Sequence, residues 1–193
     1  MLKGKKVFLR PLKRADIVYF LKWFNDPEVI QYLQMYLPMT EMGEEKWLEE
    51  LANRSGNNVN FVIEVIGEST NQPIGSISLG NINQKDQVAQ FGIAIGEKIC
   101  WSKGYGTEAA WLLIEYGFKQ LNLHRISSSV FAYNERSLRM HKKVGFKEEG
   151  RLRQADFKNG CFHDRVIFGL LRDEWNLNSN PDHAEKDNLD YQV

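Results

Sequence analysis

The chain has 193 residues, enough for one domain with a substantial core and short of two ordinary ones. Hydrophobic residues make up 42% and charged residues 26%, a globular rather than disordered or fibrous composition. Lys plus Arg equals Asp plus Glu at 25 each, so no global field draws the chain to nucleic acid or an anionic membrane.

"MLKGKKVFLRPL" is basic but breaks at Arg10 and Pro11 before an apolar signal region develops, and no stretch reaches the length of a membrane span. Cys100 and Cys161 stand far apart with no CxxC or Cys/His cluster, which implies reduced thiols and no zinc site. The chain is therefore expected to be cytoplasmic.

"KKVFLRPL" predicts a short strand stopped by Pro11. "KRADIVYFLKWFND" carries Ile17, Phe20, Leu21 and Phe24 at helical spacing. A further helix is expected from Asp26-Pro27 through "EVIQYLQMYL" to Pro38, and another over "TEMGEEKWLEELANR" with Thr40 as N-cap. "SGNN" reads as a loop. Trp23, Phe24, Tyr32, Tyr36 and Trp47 make this first quarter aromatic, and their spacing suits core packing for most and a pocket wall for some.

The period then becomes strand-like. "VNFVIEVIG", "PIGSISLGNI" and "QVAQFGIAIG" predict a three-strand antiparallel meander. Residues 105–120 predict a helix that buries Ala109, Leu112, Leu113, Tyr116 and Gly117. "HRISSSVFA" reads as a strand, "NERSLRMHKKV" as a short helix capped by Asn134, and "GFKEEGRLRQADFKNGCFHDRVIFGLL" as a hairpin turning at Asn159-Gly160. The expectation is one domain over residues 1–175 and a polar, frayed tail over 176–193.

"CWSKGYGTEA" poses the chemical question. Gly104-Tyr105-Gly106-Thr107-Glu108-Ala109 matches G-x-G-x-x-A, but a dinucleotide fold needs an apolar parallel strand before the first glycine and an acidic residue about 20 positions on, and neither is here. A Walker A loop is absent. Two readings remain open: a plain strand-to-helix turn with a capping glycine, or a turn whose uncommitted amides, with Lys103 and Thr107 beside them, hold a pyrophosphate at a helix N-terminus.

Read in order, "FLRPLKRAD", "WFNDPEV", "WSKGYGTEA", "NERSLRMHKKVGFKEEGRLR" and "NGCFHDRVIFGLL" resemble the GNAT superfamily of acyl-coenzyme A N-acyltransferases, in particular the Rim-type ribosomal-protein and spermidine acetyltransferases, over roughly residues 7 to 175. The resemblance implies an α/β (α+β) fold: a mixed, mostly antiparallel sheet flanked by helices and splayed at the cofactor cleft. It implies acetyl-CoA as co-substrate and no metal. The pyrophosphate would lie on the turn formed by Trp101, Ser102, Lys103, Gly104, Tyr105, Gly106 and Thr107, the pantetheine along Ile93, Ala94 and Ile95, with Asn134 and Ser137 touching the cofactor.

The chain departs from the family's pattern in informative places. Trp101 and Ser102 stand where relatives carry Gln or Arg and a glycine, and Gln90 stands where many carry a glutamate base. His141 occupies the place of a tyrosine acid. An unperturbed imidazole is partly protonated near neutrality, so His141 becomes the candidate donor to the leaving thiolate; a histidine on a helix surface is the other account. The backbone at Ala94 to Ile95 is the candidate oxyanion donor. Glu64 reads as a solvated strand residue or a water-linked base, and His124 as a cap or surface group.

The implied activity is N-acetylation of a primary amine, on a protein N-terminus or on a small molecule such as a polyamine or amino sugar, by direct attack through a tetrahedral intermediate. The alternative is a non-catalytic acyl-CoA-binding module. No membrane or direct nucleic-acid partner is expected, the basic cluster from Arg136 to Lys147 being the weakest case for one, and homo-oligomerisation is left open.

Overall fold

The computed structural model describes residues 1–53, 57–67 and 72–177. Eight strands form one sheet in the order β1-β2-β3-β4-β5-β6-β8-β7. They are β1 (Leu2–Lys3), β2 (Val7–Pro11), β3 (Val59–Val65), β4 (Gln72–Asn83), β5 (Val88–Ile95), β6 (Arg125–Phe131), β7 (Lys147–Lys158) and β8 (Cys161–Leu171). Each neighbouring pair is antiparallel except β5 with β6. The expected meander is β3-β4-β5, and the expected α/β class with a mixed, mostly antiparallel sheet is what the chain adopts.

Helices α1 (Ile17–Phe24), α2 (Pro27–Ile30), α3 (Glu41–Asn53), α4 (Tyr105–Lys119), α5 (Glu135–Val144) and α6 (Arg172–Leu177) flank the sheet. α4 buries Ala109, Ala110, Leu112, Leu113, Ile114, Gly117 and Phe118 in the main core with Leu9, Ile63, Ile77, Leu79 and Ile126. That face follows from small and γ-branched residues repeating at three and four positions. On the other side of the sheet α1 packs Phe20 and Trp23 against Val62. Among the described residues no helix is long and apolar enough to cross a membrane.

Capping chemistry places the boundaries where the sequence marks them. Thr40 Oγ1 accepts the Gly43 amide at 3.1 Å and opens α3, and Asn134 Oδ1 accepts the Ser137 amide at 3.2 Å and opens α5. Asn159 and Gly160 both take positive φ, 51° and 81°, as a two-residue hairpin turn of the type I′ kind requires.

Three expectations change. The helix expected to run on to Pro38 stops at Ile30, where the Tyr32 and Leu33 amides bond to Val29 O and Ile30 O in tighter three-residue turns; beyond it Gln31 O accepts the Tyr133 hydroxyl, and Leu33 O and Met35 O accept the Lys158 ammonium. Asn176 and Leu177 belong to α6, whose Trp175 ring centroid lies 4.1 Å from that of Trp111; the rest of the expected tail, 178–193, and part of the "SGNN" loop lie outside the described residues. Glu64 is neither solvated nor turned to a cleft. Its carboxylate accepts Arg10 Nε at 2.6 Å, while Arg10 grips both Asp16 oxygens at 2.7 Å, and all three residues are at most 8% exposed.

Candidate active site

β5 and β6 pair in parallel only over Val88–Gln90 and Arg125–Ser127. Beyond that point β5 stays with β4 as far as Ile95, and β6 stays with β8 as far as Phe131, so the two strands part. Two serines sit at the fork: Ser127 Oγ donates to Ala89 O at 3.2 Å, and Ser128 Oγ lies 3.2 Å from Phe91 O. The gap opens into a cleft of about 840 Å³.

Along an extended strand the backbone N–H and C=O of one residue point to the same side, and the side alternates. Ala89 and Phe91 turn theirs to β6, and Ile95 continues the series, its carbonyl accepting the Trp101 indole N–H at 2.7 Å. Gly96 sends its N–H the other way, to Ile74 O of β4 at 2.8 Å. Ile93 and Ile95 therefore present backbone groups to the gap, whereas Ala94 turns its amide to β4. The oxyanion donor expected at Ala94 to Ile95 narrows to the odd-numbered residues.

The glycine turn forms the next wall. Gly104 sits at φ 87° as the N-cap of α4, a conformation that a Cβ disfavours, and Ser102 adopts φ 61° without that freedom. The first-turn amides of a helix have no partner inside it, and the macrodipole adds partial positive charge, so Tyr105, Gly106 and Thr107 present an anion-binding end to the cleft. Glu108 accepts the Lys5 and Lys6 amides and so fastens the N-terminal segment beside this turn. A Cβ on Gly106 would stand 3.5 Å from Ile95 and 3.6 Å from Ile93 side chains, ordinary contacts, so what glycine keeps here is cleft space.

Residues 6–147 match the family described as an acetyltransferase (GNAT) domain. The chain belongs to the GNAT acetyltransferase family. It is 31% identical over 179 residues to the spermidine N(1)-acetyltransferase of Escherichia coli K12, covering 91% of both chains, and 27% identical over 176 residues to a prophage-derived uncharacterized N-acetyltransferase of Bacillus subtilis, covering 91% of this chain and 95% of that one. Among solved structures, the spermidine N-acetyltransferase of Vibrio cholerae in complex with CoA and spermine superposes with a TM-score of 0.82 at 25% identity, over 90% of this chain and 99% of that one.

This N-acetyltransferase brings most of the residues singled out in its sequence to one place. Ile93, Ala94, Ile95, Trp101, Ser102, Gly104, Tyr105, Gly106 and Thr107 line the cleft from β5 and the turn, and Asn134, Ser137 and His141 line it from α5. Lys103 is exposed and stands apart from that lining. His124 is exposed, its backbone amide bonded to Gln87 O at 2.7 Å. Gln90 lies at the fork, where its amide oxygen accepts from Asn81 Nδ2 at 3.0 Å.

His141 differs from expectation in its surroundings. It is 2% exposed, with its ring stacked on Phe168 and flanked by Phe91 and Phe146. Nδ1 lies 2.8 Å from Ser137 O and Nε2 2.9 Å from Ser128 Oγ, an arrangement satisfied when Nδ1–H donates to the carbonyl and Nε2 accepts the serine hydroxyl. Desolvation among the phenylalanines lowers its pKa to about 4, against the smaller opposing effect of the Ser137 carbonyl. The imidazole is neutral at pH 7 and is neither a surface group nor the half-charged acid expected.

Several contributors escape sequence reading. Arg136 places its guanidinium 3.8 Å over the Trp101 ring and 4.8 Å from that of Tyr32, so the supposed nucleic-acid cluster loses its first member to the cleft. Arg139 and Lys147 pair with Glu135 and Glu174. Ser128 reaches the cleft because β6 parts from β5, a tertiary event with no local signature. Of the five early aromatics Trp23 is buried core, Phe24 and Trp47 pack against that core and also border the cleft, Tyr32 lines the cleft and Tyr36 is exposed. A composition-based core assignment could not separate them.

Proposed function

We propose that this enzyme transfers an acetyl group from acetyl-CoA to a primary amine by direct attack of the amine nitrogen. The parting of β5 from β6 beside the glycine turn carries the reading. It supplies, in one cleft, a row of open strand amides, a helix N-terminus suited to pyrophosphate, and a half-buried aromatic wall, and these fit the three parts of an acetyl-CoA and acceptor pair.

In this reading acetyl-CoA supplies the activated acetyl thioester. The amides of residues 102–107 hold its pyrophosphate, with Gly104 setting their direction and Trp101 and Arg136 stacked at their edge; Ile93 and Ile95 offer backbone bonds to the pantetheine arm, and Asn134 and Ser137 border it. An amide on this edge of β5 faces the carbonyl oxygen as negative charge develops there. Phe24, Tyr32 and Trp47 wall the acceptor side.

An alkylammonium has a pKa of about 10.4, so nitrogen must lose a proton before attack. Gln90 cannot take it, and neutral, fully engaged His141 is not the acid for the thiolate. Proton exchange therefore runs through water entering at the open fork, and His141 acts through the Ser128 and Ser137 groups it holds. The acceptor is drawn from primary amines: polyamines, the kind named for the spermidine acetyltransferase relative, with protein N-termini and amino sugars as further classes.

The test follows free-thiol release from acetyl-CoA with spermidine, glucosamine and an alanyl peptide as acceptors, the product confirmed by a 42 Da mass gain, the mass of one added acetyl group (C2H2O, roughly 42 Da by arithmetic). Turnover of at least one amine is expected. Tight CoA binding with no turnover of any amine would leave a binding module instead.

A further inference from the structure

The segment between α2 and α3 has side chains facing the cleft and a backbone fastened from behind. Tyr32, Leu33, Gln34 and Met35 line the cleft, yet the segment forms no helix or strand of its own. Its outward carbonyls are held at alternate residues: Gln31 O accepts the Tyr133 hydroxyl, and Leu33 O and Met35 O both accept the Lys158 ammonium, the former at 3.2 Å.

Lys158 is out of character for its position. It is the last residue of β7, paired with Cys161 across the Asn159-Gly160 turn at the hairpin tip, where Phe157 and Phe162 are 64% and 63% exposed. Lys158 itself is 8% exposed, and burial lowers the pKa of its amine. Asp156, two residues away, is engaged by Arg165 Nε at 2.9 Å, so the ammonium is met by carbonyl dipoles rather than by that carboxylate.

Burying a lysine on carbonyls alone costs desolvation that an apolar side chain would avoid. The return is that two carbonyls of an irregular segment gain donors they would otherwise lack. Behind the ammonium, His163 braces the tip, its Nε2 3.2 Å from Lys158 O and its ring 4.6 Å from that of Tyr133. The hairpin tip and the end of β6 thus grip the same segment.

We infer that Lys158, with Tyr133 beside it, is a positioning residue for the acceptor: the β7–β8 hairpin tip clasps the 31–36 segment and sets the acceptor-side wall of the cleft, and among the described residues the cofactor turn meets that segment only where Trp101 and Arg136 touch Tyr32. The kinetic part of this rests on the amine-acetylation reading; the structural part does not.

The test compares wild type with Lys158→Met, Lys158→Arg and Tyr133→Phe by hydrogen exchange of the ligand-free protein and by steady-state kinetics with the panel amine turned over fastest. Lys158→Met should speed exchange over residues 31–37 much more than over residues 102–107, which the segment meets only through Tyr32, and should raise acceptor KM about tenfold with a clearly smaller change in acetyl-CoA KM, the scale expected when a substrate-positioning group shifts. Lys158→Arg should recover most of both effects, and Tyr133→Phe, which deletes a single hydroxyl, should move both in the same direction by less. If Lys158→Met fails to fold, Tyr133→Phe alone decides. Unchanged exchange at 31–37, or acceptor and acetyl-CoA KM rising by the same factor, overturns the clasp. If wild type turns over no amine, the functional reading falls while hydrogen exchange still decides the clasp.

Discussion

The Ser128 hydroxyl lies 2.9 Å from His141 Nε2, which ties the strand that leaves the fork to the helix that closes the cleft. Protonating the imidazole would put a cation among Phe91, Phe146 and Phe168 and turn Nε2 from acceptor to donor. The folded-state pKa of about 4 lies below the ordinary 6.5, so the unfolded chain binds the extra proton first as pH falls. Stability from this group is complete above about pH 6.5 and is lost down to about pH 4, to a total of about 3 kcal/mol. Urea unfolding of wild type and His141→Gln between pH 4 and 7 should show the variant lacking this share of the acid loss, and the kcat/KM profile of wild type should carry no inflection near 6.5 from this residue.

Trp101→Phe keeps a ring under Arg136 but removes the 2.7 Å bond to Ile95 O. In the free protein water replaces the donor on this carbonyl, but CoA covering the cleft leaves it unpaired, a cost to binding of about 1 kcal/mol. Calorimetric titration with CoA should show affinity reduced about fivefold, with spectroscopic unfolding nearly unchanged.

Gly104 and Gly106 should separate folding from binding. Gly104→Ala forces a Cβ onto φ 87° and should cost about 1–2 kcal/mol in denaturant unfolding. Gly106→Ala meets only ordinary contacts, so its unfolding midpoint should hold or rise through better helix propensity, while its methyl group occupies cleft space and weakens CoA binding. Equal effects of the two substitutions on stability would contradict this division.

Arg10 sits between two buried carboxylates, Asp16 and Glu64, which hold its guanidinium above the ordinary arginine range. Arg10→Met leaves both acids without their cation and should destabilise by about 3–5 kcal/mol at pH 7 in denaturant unfolding. Glu64→Gln should cost less, and acetyl transfer by the protein that remains folded should be unaffected, because neither residue borders the cleft.

Local chemistry made much of the fold legible. The meander, the α4 face, the Asn134 and Thr40 caps and the Asn159-Gly160 turn each depend on residues within a few positions of one another, and each stands where the spacing placed it, except that Tyr116 of the α4 face is half-buried rather than buried. The segment after α2 shows the opposite: helical spacing runs on to Pro38, but the chain leaves the helix at Ile30 and is held instead by Tyr133 and Lys158, more than a hundred residues away.

For the site the division is similar. "CWSKGYGTEA" by itself indicated a turn with a capping glycine at a helix start, because backbone sterics are local; the folded chain gives that glycine, Gly104, its φ of 87°. Whether His141 is charged, which side of β5 offers its amides, and that Arg136, Ser128 and Lys158 attend the cleft at all were decided only in the folded chain. Desolvation, strand pairing and side-chain capture depend on what the rest of the chain brings alongside, and no spacing within a motif carries that information.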